Sequence, residues 1–116
     1  MGNKAGFEEK RQFPRLSSHI PVRYQVRGEA DFNDTLSDDI SIGGICVNNK
    51  EFVAPQTILN LKLNVLSRVL STQGTVAWSA PLPHSDKYRM GIQFSGFELS
   101  EKNYFGDYIN MQLGNL

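Results

Sequence analysis

Very little in this sequence can cross-link, chelate or span. There is one cysteine, Cys46, so no internal disulfide can form and the chain must hold itself together by packing, as expected in a reducing compartment. Two histidines, His19 and His84, beside that single cysteine offer no ligand spacing for a metal, so none is expected. No apolar run approaches the ~20 residues that a membrane-crossing helix needs, which excludes membrane insertion of that kind. The first residues, Met1 to Lys10, are polar and lack the apolar stretch of a signal peptide, so the expected location is the cytoplasm. Net charge is missing too. Twelve basic groups face twelve acidic ones, which argues against a protein that coats nucleic acid, and no DNA partner is expected. Catalytic signatures are also absent. Asp39-Ile40-Ser41-Ile42-Gly43 is not a G-x-S-x-G elbow, and Gly43-Gly44 is not followed by the lysine and hydroxyl of a P-loop. Neither histidine sits in a motif that would activate Ser41. No catalytic residue is assigned and no enzyme is expected.

What remains is an ordinary globular composition, 40% hydrophobic, in a chain of 116 residues, the length of one domain. Its apolar residues fall mostly at period two, the mark of half-buried strands. Ile20, Val22, Tyr24 and Val26 alternate with polar neighbours, as do Leu59, Leu61, Leu63 and Val65, and again Tyr88, Met90, Ile92 and Phe94. Weaker strands are expected from Thr35 to Ile40, over Ile45 to Val47, and from Val69 to Trp78, with Gly74 as a bulge. Pro81 to Asp86 reads as a turn. The period then changes. Tyr104, Phe105, Tyr108 and Ile109 recur at helical spacing, with Ser100 as the expected N-cap, Leu99 as a staple onto Tyr104 and Gly114 at the end. Six short strands and one helix, without βαβ alternation, predict an all-β fold: a six-stranded antiparallel barrel with one C-terminal α-helix. Residues 1–18 lack strand or helix period and read as a flexible N-terminal arm ahead of a single barrel domain, 19–116.

Charge is balanced overall but not along the chain. Residues 1–27 carry six basic groups (Lys4, Lys10, Arg11, Arg15, Arg23, Arg27) against Glu8 and Glu9. Residues 28–45 carry Glu29, Asp31, Asp34, Asp38 and Asp39 and no base. Within this basic-then-acidic arrangement lie two short patterns. The first is Arg11-Gln12-Phe13-Pro14-Arg15, two arginines four positions apart. In extended chain they would sit roughly 13 Å apart, and their planar forks suit phosphate and the acceptor edge of guanine. The second is Asp39-Ile40-Ser41-Ile42-Gly43-Gly44: a carboxylate that can accept from the imino and amino hydrogens of guanine, a hydroxyl, and a glycine turn.

R-x-x-x-R followed by D-x-S-x-x-G resembles the PilZ family of bacterial cyclic di-GMP receptors. Val76-Ala77-Trp78 and Met90-Gly91-Ile92-Gln93-Phe94 are similar to its later strands, and the likeness runs from Glu9 to Leu113. The resemblance implies a split-barrel fold, cyclic di-GMP as ligand with no cofactor, and binding through Arg11, Arg15, Asp39, Ser41 and Gly44, with Lys10 and Gly43 as adjoining candidates. It implies that the arm wraps over a ligand held on the D-x-S-x-x-G surface. Lys10 would then serve a second, stacked nucleotide. With no output domain attached, an unknown downstream protein partner would receive the signal through ordering of the arm. Two other readings stay open: a PilZ-like protein–protein adaptor without nucleotide, and a small barrel that binds single-stranded nucleic acid. Arg23, Arg27, Trp78 and the helix aromatics read as solvated or core positions.

Overall fold

The computed structural model describes residues 14–114. Among these described residues, seven strands and one helix follow in chain order: β1 (Leu16–Ser17), β2 (Pro21–Val26), β3 (Asn33–Ser41), β4 (Gly44–Asn49), β5 (Ile58–Val65), β6 (Arg68–Pro81), β7 (Tyr88–Phe94) and α1 (Leu99–Gln112). Every pairing is antiparallel. Strands β3, β2, β5, β6, β7 and β4 are neighbours in that order, and the β3–β4 pairing closes them into a six-stranded barrel. Strand β1 is an extra one. It continues the β2 side of β3, with Leu16 opposite Ile40 and Ser17 opposite Asp39. It lies inside the stretch expected to be the arm.

The alternation does what its period dictates. Leu59, Leu61, Leu63 and Val65 point inward from β5 and are sealed from solvent, as are Val22 and Tyr24 of β2 and Met90 and Ile92 of β7. Burying one such side chain contributes about 1.5–3 kcal/mol, so these rows define the interior. Helix α1 closes the core with Phe105 and Ile109. The Phe105 ring meets Phe94 and Phe97, each at 5.7 Å between centroids. Arg68 lies over the Tyr104 ring, 4.3 Å from its centroid.

Four local expectations are corrected. The helix begins one residue before Ser100, with Glu98 as its extended N-cap and no side-chain cap bond, so Ser100 is already helical. Leu99 consequently points to solvent, 70% exposed, and does not act as a staple. The early start has a tertiary cause. The first half of β6 overhangs β7, and the segment entering the helix lines that overhang: Ser95 donates its amide to the Gln73 carbonyl, and the Glu101 carboxylate accepts from the Ser71 amide. The bulge expected at Gly74 lies instead at Ala77, where the register shifts between Val76 and Trp78. Gly74 is needed for space, because a Cβ there would run into the Ile92 side chain. Strand β6 also runs on past Trp78 to Pro81.

Candidate functional site

Pairing of β1 with β3 brings the two sequence patterns together. Arg15 immediately precedes β1, so the register that sets Leu16 against Ile40 lays Arg15 alongside the second pattern. Its guanidinium donates to the Asp39 carboxylate, with Nη1 3.3 Å from Oδ1 and 3.5 Å from Oδ2. Both side chains keep solvent access, 43% for Arg15 and 23% for Asp39, so this is a surface ion pair worth little to stability. Lys10 and Arg11 lie outside the described residues.

Ser41, Gly43 and Gly44 build the turn beside the Arg15–Asp39 pair. The Ser41 hydroxyl accepts from the amides of Gly43 and Gly44, both at 3.2 Å, and donates to the Gly44 carbonyl at 3.3 Å. It therefore clasps the turn between β3 and β4, a habit of hydroxyl residues in turns. The Gly43 carbonyl accepts from the Phe94 amide, tying that turn to the end of β7. Gly44 is required by close approach, since any Cβ would collide with the Ile92 carbonyl of β7. Neither glycine takes a positive φ; among the described glycines that conformation falls at Gly28 and Gly114.

Strand β3 is irregular where it matters. Its register with β4 shifts between Ser37 and Asp39, so Asp38 is an extra residue. A regular strand would send consecutive side chains to opposite faces, and the bulge re-aims one of them. Asp38 and Asp39 consequently both reach Arg89 of β7. Arg89 Nε lies 3.2 Å from Asp38 Oδ2, and Arg89 Nη2 lies 3.8 Å from Asp39 Oδ2. The same Nε is 3.0 Å from the Cys46 sulfur. Burial pushes the Cys46 thiol up from its ordinary range, against the lowering effect of Arg89, so it stays a thiol at neutral pH.

Adjacent registers draw a line across four strands. Asp39 is opposite Cys46, Cys46 opposite Gly91, and Gly91 opposite Trp78. Small residues make the floor, and the Trp78 indole lies over Gly91, where a Cβ would overlap it. Trp78 is 40% exposed, on the outer wall of the barrel and not in its core. The site is thus an open strip with two carboxylates and two guanidiniums at one end and an aromatic face at the other. Catalytic geometry is not evident in it. Ser41 is engaged in its turn, and His19 donates from Nδ1 to the Ser37 carbonyl. Among the described residues no cluster could hold a metal ion, and no helix is long and apolar enough to cross a membrane.

The family model described as "PilZ domain" matches residues 9–110. The chain belongs to the PilZ domain family. No curated protein is matched by sequence. Among solved structures, this PilZ domain is similar to the Bacillus subtilis inhibitor of motility MotI/DgrA, at 25% identity and TM-score 0.73, covering 90% of this chain and 52% of that one. It is similar to the PilZ domain of Escherichia coli YcgR, solved with c-di-GMP, at 12% identity and TM-score 0.67, covering 90% and 92%. It is also similar to the K. pneumonia MrkH–c-di-GMP complex, at 18% identity and TM-score 0.68, covering 89% and 51%. This PilZ domain therefore spans about half the length of MotI and of MrkH.

Three residues of the strip were missed by sequence reasoning. Arg89 stood on the polar face of an expected strand, so its outward direction was readable but its neighbours were not. Asp38 carried no signal, because alternation assigns only one of two consecutive residues to a face. Trp78 reads from the sequence as a core or barrel-mouth residue, and its place on the outer wall depends on the bulge at Ala77.

Proposed function

We propose that this PilZ domain is a receptor for cyclic di-GMP that passes its state to a partner protein. The observation that carries the reading is the meeting of Arg15 and Asp39, one from each pattern, on the open outer wall of the barrel. A dinucleotide with two phosphates and two guanines needs cationic forks, an acceptor for the guanine imino and amino hydrogens, and flat faces. Arg15, with Arg11 from the same segment, supplies the forks. Asp39 supplies the acceptor, and Trp78 offers a face. Ser41, Gly43 and Gly44 hold the turn that presents them, and Lys10 would serve a second, stacked nucleotide. That YcgR and MrkH are solved with c-di-GMP supports the ligand.

In this reading residues 1–18 act as the arm and 19–116 as the barrel, and ligand capture by Arg11 and Arg15 fixes the arm beside the barrel as a new surface. The balanced charge favours a protein partner over DNA, and the buried thiol suits the cytoplasm. No catalytic step is assigned.

Calorimetric titration tests the reading. Cyclic di-GMP should bind at about micromolar or tighter, with cyclic di-AMP and GTP far weaker, at two nucleotides per chain and one in Lys10→Leu. Arg11→Ala, Arg15→Ala and Asp39→Ala should each weaken binding about 10- to 100-fold, the range for loss of one bidentate contact, with unchanged melting. A parent protein that takes up no nucleotide would leave the adaptor reading in its place.

A further inference from the structure

Two guanidiniums share the Asp39 carboxylate, and they are held in different ways. Arg15 is a surface fork resting on Asp39. Arg89 is fixed from several sides: its Nε donates to the Cys46 sulfur, Asp38 Oδ2 forms an ion pair with it at 3.2 Å, and Asp38 is itself steadied by the Asn48 amide at 3.4 Å. The β3 bulge creates this arrangement by turning two consecutive carboxylates towards one arginine.

We propose that Arg89 is a specificity-determining positioning residue, which keeps Asp39 aimed at the guanine edge once the ligand has drawn Arg15 away. The proposal rests on the receptor reading above. In the free protein two carboxylates and two guanidiniums balance. An incoming dianion recruits Arg15 to phosphate or base, and Asp39 then stands beside Asp38 and an anionic ligand. Like charges that close disfavour one another, and among the described residues Arg89 pairs with both. A guanidinium anchored at Cys46 and Asp38 and lying 3.8 Å from Asp39 relieves that repulsion and draws the Asp39 oxygens in one direction. Lysine, a point charge on a flexible stem, cannot bridge the two in the same way. Arg89 thus acts through Asp39 and need not touch the nucleotide.

The test compares cyclic di-GMP with cyclic di-IMP, whose base keeps the imino hydrogen and lacks the amino group. The ratio of their dissociation constants reports how well Asp39 is aimed. In the parent the guanine form should bind about tenfold or more tighter, the range for one base-edge contact. In Arg89→Gln the affinity for cyclic di-GMP should fall and the ratio should shrink to within about threefold, and Arg89→Lys should not restore it in full. Arg89→Lys, the milder change, should shift the ratio in the same direction by less, and serves if Arg89→Gln does not fold. A purely structural role would weaken both ligands equally and leave the ratio at the parent value, which would overturn the proposal. A parent that binds both ligands without discrimination overturns it as well. If the parent binds neither, the receptor reading itself falls and takes this inference with it.

Discussion

The β5–β6 and β3–β4 hairpins each turn on two residues, Leu66-Ser67 and Ile42-Gly43, but their ladders differ. The first runs through eight successive pairs without a shift, from Ile58 opposite Thr75 to Val65 opposite Arg68. The second makes four pairs and is broken at Asp38. The first fills the interior with leucine, while the second gathers charge on the outer wall. A regular ladder keeps alternate side chains on fixed faces, so it builds a core. A bulged ladder gives up one pairing position and gains a side chain in a place the pleat would not allow. In this protein the frame and the site are made by the same kind of hairpin, separated by one inserted residue.

The comparison breaks if frame and site are not separable. Leu61→Ala removes a sealed side chain from the regular hairpin and should cost about 2–5 kcal/mol in urea unfolding. The fraction that stays folded should bind cyclic di-GMP within about twofold of the parent. A tenfold loss of affinity would show that the β5 core reaches the site. Gly44→Ala probes the irregular hairpin, where the added methyl meets the Ile92 carbonyl. It should cost about 1–3 kcal/mol, the range for overpacking, and weaken nucleotide binding as well. Loss of stability with intact binding would mean that the turn is only frame. The smallest effect is expected at Leu66, which is exposed and held at a φ of 57°. Asparagine tolerates that conformation better, so Leu66→Asn should raise stability by about 1 kcal/mol, readable as a higher melting temperature, and leave binding unchanged.

How much of this was legible beforehand follows from the range of the interactions. Period two marked β2, β5 and β7, because burial on one face leaves its trace in neighbouring residues. The helix was visible from Tyr104, Phe105, Tyr108 and Ile109 for the same reason. Its first residue was not, since no local cap marks it and the contacts of the segment around it, Ser95 with Gln73 and Glu101 with Ser71, are with the distant β6. Asp39 could be singled out because its pattern with Ser41 and Gly44 is compact in sequence. Arg89 and Asp38 could not, because their neighbourhood depends on a register between β4 and β7 and on a bulge in β3. Neither has a period. Strand β1 escaped as well: two residues are too few to alternate.

The contact between Glu101 and the Ser71 amide bears on how the molecule behaves among copies of itself. Closing the barrel hides most strand edges, yet the overhanging half of β6 presents backbone groups to the outside. An open edge is a template on which another chain can add a strand. The Ser95 amide and the Glu101 carboxylate fill that template, and the glutamate leaves a negative charge along it. The helix and the segment leading into it therefore occupy part of this edge as well as closing the core. A chain that lost them would present its neighbours with a bare strand edge.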